Sequence, residues 1–267
     1  MTTILGLIAA LLYLGTAAVL LFRGRRGRPY SDVKIALTLT ASAALLCHAI
    51  ANLGLLVTSG GLDLGFYKVT STIAWFVASI ALISSLRAPL DKLLIPIYLL
   101  AATALLPALF APASPSPHGP ITPGLALHIV LSMLAYSVMT IGACQAVFLA
   151  IQNRQLKSRH MSRLISALPP LQSMETLLFQ ILWAGEILLS LSIVSGLIFL
   201  DDMFAQHVAH KSFFAICAWL IFAVLLWGRH HLGWRGQRAA RLTLAGFAVL
   251  VLAYLGSKFV LELVLNR

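Results

Sequence analysis

The sequence predicts an all-α integral membrane protein, a bundle of about eight transmembrane helices with both termini outside. Three observations carry that prediction. Of the 267 residues 60% are hydrophobic and only 10% charged, with a mean hydropathy of +0.94, values outside the range of soluble domains. Eight apolar segments approach the roughly 20 residues that a helix needs to cross the hydrocarbon core. The basic residues behind the +11 formal charge fall in short clusters between those segments, as topology signals do, so no nucleic-acid partner is implied.

The first span, about 3–22, is followed rather than preceded by positive charge, in "FRGRRGR". A cleaved signal peptide would have a basic leading region and a shorter apolar core, so this segment is read as a retained span. The others are predicted at about 35–57, 66–86, 93–111, 123–151, 175–200, 210–228 and 242–262. They leave no soluble domain and show no sequence repeat, so 1–267 is read as a single polytopic membrane domain. The connection "APASPSPHGPITPG" carries five prolines in fourteen residues and is expected to be irregular or extended. The other long connection is "IQNRQLKSRHMSRLISALPPLQSM", after the fifth span.

Basic residues on alternate sides fix the expected orientation. Fifteen collect on one side, from Arg23 through Arg241, and only Lys68, Lys211, Lys258 and Arg267 on the other. With short loops throughout, that asymmetry places both termini outside. Cys47, Cys144 and Cys217 all lie in apolar runs and form no C-x-x-C, so neither a disulfide framework nor covalent haem attachment follows; they read as small buried hydrophobes.

Ionisable residues inside spans are costly and face the protein interior by default. His128, in "LALHIVLSMLAYS", lies about one turn below the outer end of the fifth span and shares a face with Ser132, Ala135 and Tyr136. Such a stripe packs against other helices, so His128 either hydrogen-bonds a neighbouring backbone or hydroxyl group or serves as a ligand or relay. His48 shares a face with Asn52 in the outer half of the second span. His210 stands at the outer start of the seventh span, beside Lys211 and after Asp201, Asp202 and His207, where contact with water is the simpler expectation. Three outer-half histidines in an apolar bundle match what a bis-histidine haem b site would use, with neutral imidazoles as axial ligands.

Glu186, in "WAGEILLSLSIVSG", is the one acid well inside a span, one turn from Ser190, and either keeps its proton or is matched to a histidine or arginine. The pair His230–His231 in "LLWGRHHLGWRGQRAAR" points two ways, because adjacent helical residues lie about 100° apart. This segment reads as interfacial Trp and Arg anchors at the cytoplasmic end of the seventh span.

"HIVLSMLAYS" resembles the conserved helix start of the cytochrome c assembly superfamily, which includes CcsA, CcmC and HemX. "LPPLQSMETLLF", "SGLIF", "HKSFFAICAWLIFAVLLWGRHHLGWRGQRA" and "AGFAVLVLAYLGSKFVLELVL" together resemble its YpjD-like branch. The resemblance covers most of the chain and is strongest over 121–262. It implies that His128 stands in the place of the first external haem-ligand histidine. Three departures accompany it. The loop "LDDMFAQHVAHKSFF" lacks the Trp-rich haem-presenting motif, "GSKFVLELVLNR" lacks the second external histidine, and Trp227 stands where a cytoplasmic-side ligand is expected.

The expectation is a haem-binding accessory protein of the bacterial inner (cytoplasmic) membrane, without catalytic chemistry of its own, acting in haem handling or with cytochrome c maturation proteins. Haem b would be held weakly and non-covalently, with His128 as one axial ligand of the iron. His48 and His210 compete for the other position, His48 being favoured for its buried place. In a rival reading His48, His128 and Glu186 line a cation or proton pathway. In a third, the polar residues only fix the packing of a membrane scaffold.

Overall fold

The computed structural model describes residues 1–27, 30–58, 61–87, 91–112, 122–158, 169–199 and 209–253, excepting the side chains of Thr58, Arg87, Ala209 and His210. Eight α-helices occupy these residues: α1 (Thr2–Arg26), α2 (Lys34–Leu56), α3 (Phe66–Arg87), α4 (Leu94–Phe110), α5 (Pro123–Ser158), α6 (Leu171–Phe199), α7 (Ala209–Leu232) and α8 (Gln237–Val251). Each lies on one of the eight apolar segments. Six of them are long and apolar enough to cross a membrane, and α4 is a shorter apolar helix of 17 residues. The protein is an all-α membrane protein. The second half of the eighth expected span, beyond 253, the middle of the Pro-rich loop and 200–208, with Asp201, Asp202 and His207, lie outside the described residues.

The helix ends follow local chemistry. α1 stops where Gly27 takes a left-handed conformation, φ 67°, and its N–H closes onto the carbonyls of Arg23 and Gly24. Only glycine adopts that cap without a Cβ penalty. Arg23, Arg25 and Arg26 fill the last turn, where the helix dipole favours cations. α2 ends one residue short of its expected bound, and Val57–Thr58 pairs antiparallel with Gly61–Leu62 in a two-stranded sheet. α5 runs seven residues past its expected end at 151, so "QNRQLKS" continues the helix instead of opening the connection. That stretch contains good helix formers and no glycine or proline.

The chain divides into two compact units, one built on α1–α4 and the other on α5–α8. In the first, α1 packs on α2 and α4, and α3 packs on both α2 and α4. The buried face of α1 is narrow and small, with Gly6, Ala9, Ala10 and Ala17 around Tyr13. A Cβ at Gly6 would run into the Leu109 side chain on α4, so that close approach favours glycine. In the second unit α5 packs along α6, α8 against α5 and α7, and α7 against α6. The Tyr136 hydroxyl donates to the Leu250 carbonyl (2.7 Å) and the Trp219 indole to Ser190 Oγ (2.8 Å). Several span hydroxyls also donate to their own helix, as Thr16, Ser137, Thr140 and Thr243 do to the carbonyl four residues back.

Candidate functional site

In the second unit the His128 ring meets the C-terminal half of α6. Its Nδ1 lies 2.9 Å from the Ser192 carbonyl and 3.2 Å from Ser195 Oγ. A carbonyl oxygen only accepts, so Nδ1 carries the ring proton and donates it. The Ser195 hydroxyl donates to the same carbonyl (2.8 Å), and that of Ser132 to the backbone carbonyl of His128 (2.7 Å). With the Ser132 proton so used, Ser192 Oγ donates across the 2.7 Å that separate the two hydroxyls. Among the described residues the hydroxyl protons of this cluster are then assigned, and none is directed at His128 Nε2. That nitrogen keeps its lone pair, with Ser132 Oγ the nearest polar partner at 3.5 Å. The ring is half-buried and fixed in one tautomer.

An imidazole whose Nδ1–H is held by a backbone carbonyl while Nε2 is free is the arrangement in which histidine ligates metals. This chain's residues therefore fit an axial role toward haem iron at His128. The stripe read from the sequence, His128 with Ser132, Ala135 and Tyr136, does face other helices, with Ala135 and Tyr136 both buried. Sequence reasoning missed Ser192 and Ser195, although their i, i+3 spacing in "SLSIVSG" places both on one face of α6.

His48 belongs to the first unit and is 0% exposed. Ser71 on α3 donates to Asn52 Oδ1 (2.8 Å), which spends its one proton, so Ser71 Oγ accepts from His48 Nε2–H (2.9 Å). Nδ1 is then the acceptor for the Tyr13 hydroxyl at 3.3 Å. Tyr13, His48, Ser71 and Asn52 form one directed chain through three helices, and Tyr13 stacks on Tyr98 with centroids 5.5 Å apart. The expected His48–Asn52 face is present; Tyr13 and Ser71 were not foreseen. Both ring nitrogens of His48 are engaged.

Glu186 is 7% exposed on α6, and neither carboxyl oxygen has a hydrogen-bond partner among the described residues. The basic partner allowed for in the sequence is not found among them. Ser190, one turn on, donates to the Glu186 backbone carbonyl, not to the carboxyl. His210 lies in the first turn of α7, and its side chain is outside the description. His230 and His231 are exposed, with Trp227 tilted against His231 at 5.2 Å. Arg229 lies over Phe179 and Arg238 over Trp234, so these arginines pack on aromatic faces. The three cysteines are free and half-buried rather than fully enclosed. Among the described residues no group of three or more His, Cys, Asp or Glu side chains could hold a metal ion by itself.

A second buried acid was not singled out in the sequence. Glu175 Oε1 accepts the Gly236 N–H at 2.7 Å and so ties the α7–α8 turn to the start of α6.

Residues 36–265 match the cytochrome c assembly protein family. The chain is 35% identical over 228 residues to the inner membrane protein YpjD of Escherichia coli (strain K12), covering 85% of this chain and 86% of that one. An uncharacterized 28.8 kDa protein of Azospirillum brasilense is 30% identical over 185 residues, 66% of each chain. The cytochrome c biogenesis protein CcsA of Guillardia theta is 26% identical over 152 residues, 51% of this chain and 50% of that one. No solved structure matches. With the eight helices and the free Nε2 of His128 already described, the match over nearly the whole chain shows that this protein belongs to the cytochrome c assembly family.

Proposed function

We propose that this protein is a haem-binding accessory of the bacterial inner membrane that serves haem handling in cytochrome c assembly and performs no catalytic step of its own. The observation that carries the reading is the His128 cluster, in which Nδ1–H is held by the Ser192 carbonyl and Nε2 is left as a lone-pair donor. Names of relatives lend the setting: one is an inner membrane protein and another a cytochrome c biogenesis protein. The bound group would be haem b, held without a covalent tether because the sequence has no C-x-x-C-H. Haem would supply a redox-active iron; the protein's part is to orient one imidazole, exclude water and hold the porphyrin in an apolar setting.

For the second axial position we propose His210, which belongs to the same compact unit as His128. Ligation by His48 would require breaking its bond to Ser71 or to Tyr13 inside a fully buried chain, and an orphaned buried hydroxyl is costly.

The test is the absorption spectrum of the detergent-purified, haem-reconstituted protein. Wild type and His48→Ala should show a six-coordinate Soret band, His210→Ala a five-coordinate one, and His128→Ala none. Denaturing extraction should release all of the haem. A normal six-coordinate spectrum in His128→Ala, or haem that survives extraction, would overturn the reading.

A further inference from the structure

Glu186 lies on the helix whose Ser192 carbonyl orients His128, six residues and about 9 Å of helix rise away. It is 7% exposed with both carboxyl oxygens unpartnered among the described residues. Among the described helices, α5 and α7 are those that pack extensively on α6. α5 bears no charged residue from Pro123 through Asn153, and α7 none from Ser212 through Gly228. The titratable groups of α5 over that range are His128, engaged as described, Tyr136, whose hydroxyl goes to Leu250, and Cys144. α7 contributes Cys217 within the span, His210 and Lys211 at one end and Arg229, His230 and His231 at the other. On α6 itself the other acid is Glu175, which is bonded to Gly236. Among the described residues of these three helices, the charged side chains therefore sit toward the helix ends and none is bonded to the Glu186 carboxyl. A bare carboxylate in such surroundings costs far more than the neutral acid.

We propose that Glu186 is a proton-exchanging group coupled to the charge of haem iron held on His128, a role that rests on the haem reading above. Glu186 keeps its carboxyl O–H while the iron is ferrous. When one electron leaves the iron for a one-electron acceptor, ferricyanide in the experiment below, the added positive charge favours the carboxylate. The O–H bond then breaks and the proton leaves to solvent, so charge within the unit is conserved; reduction reverses both transfers. Were the iron on the order of 10 Å from the carboxyl, its added unit charge at an effective dielectric of about 20 would change the proton affinity roughly tenfold. The coupling should therefore span about one pH unit.

The experiment pairs two readouts on detergent-purified wild type, Glu186→Gln and Glu186→Asp. In haem-loaded protein, redox titration with ferricyanide and dithionite across the neutral range should give a wild-type midpoint that falls as pH rises. Glu186→Gln should lose that slope with an unchanged Soret band, and Glu186→Asp should restore it. In haem-free protein, infrared spectroscopy should show a protonated-carboxyl band that Glu186→Gln removes. A slope that persists in Glu186→Gln, a flat wild-type midpoint, or an infrared band absent from wild type or unaltered by the substitution overturns the role of Glu186. Failure of every variant and of wild type to bind haem overturns the haem reading instead, and the infrared result is read separately.

Discussion

The Nδ1 of His128 lies 2.9 Å from the backbone carbonyl of Ser192, sixty-four residues away in sequence, and that bond sets which ring nitrogen is free. Because the acceptor is main chain, side-chain changes around it should be tolerated. Ser195→Ala removes the second acceptor of a shared proton and a donor to the Ser192 carbonyl, and Ser132→Ala the hydroxyl that donates to the His128 carbonyl and accepts from Ser192, but neither removes the carbonyl that holds Nδ1–H. Each should weaken haem binding less than about tenfold, the low end of what orienting partners contribute. Titration of haem into the apo variants, followed at the Soret band, measures it. Loss of binding in either would show that the serine hydroxyls, not the Ser192 carbonyl, hold the ring.

The His48 chain predicts a different pattern, of stability without spectrum. His48→Ala strands the Tyr13 hydroxyl in a buried site and takes away the donor to Ser71, and should destabilise the protein by about 1–3 kcal/mol. Tyr13→Phe, which removes one bond at 3.3 Å, should cost about 1 kcal/mol. Thermal unfolding in detergent reads both, and the haem spectrum should be unmoved in each.

These two clusters also show what the sequence could and could not disclose. A helix displays its i, i+4 neighbours in the sequence, so His128 with Ser132 and His48 with Asn52 were legible as polar faces. Partners on other helices were not: Ser192, Ser195, Tyr13 and Ser71 are brought in by packing, and nothing in a single sequence says which face meets which. Apolar run length located every helix, yet the far end of α5 was misjudged, because a helix that continues beyond the apolar stretch loses the signal that marked it. Glu175 escaped notice for the same reason as Ser192, its partner being a backbone N–H across the unit.

Glu175 and Gly236 predict a local effect at the α7–α8 turn. Glu175→Ala leaves the Gly236 N–H without its 2.7 Å acceptor, which should cost about 1–3 kcal/mol. Gly236 sits at φ 59°, ψ −130°, a conformation that disfavours any side chain, and an added Cβ would lie 3.4 Å from Asn153 Nδ2. Gly236→Ala should therefore reproduce the effect. Limited proteolysis of the 233–236 turn should quicken in both variants, and an unchanged rate in both would mean that the turn is held by Arg229 and Trp234 instead.

Asp91 predicts a pH dependence outside the spans. Burial pushes its carboxyl above the usual range, with Lys34 and Lys92 pulling it back, while burial pushes Lys92 down against the pull of Asp91. An acid whose proton affinity is raised by folding loses stability as pH rises through its folded value. Asp91→Asn should thus raise thermal stability at neutral pH, by less than about 1 kcal/mol because the site is half exposed. The gain should vanish below about pH 3.9, where the unfolded aspartate is protonated too. Unfolding curves of the two proteins that stay parallel across that range would contradict the assignment.

Orientation gives the last prediction. Fifteen basic residues lie on one side of the expected spans and four on the other, and a cytoplasmic excess of Lys and Arg is what retains short loops inside. Thr122, just before α5, should then face outward, and Ser158, at the far end of that 36-residue helix, inward. The outer end of α5 is the end that carries His128, so haem bound there would lie near the external surface. Single cysteines at positions 122 and 158 test this in intact cells, after Cys47, Cys144 and Cys217 are replaced by alanine to silence the background. An impermeant maleimide should label position 122 from outside and reach position 158 only after the membrane is opened. The reverse pattern would place His128 at the cytoplasmic end, and a haem on it could then serve only acceptors inside the cell.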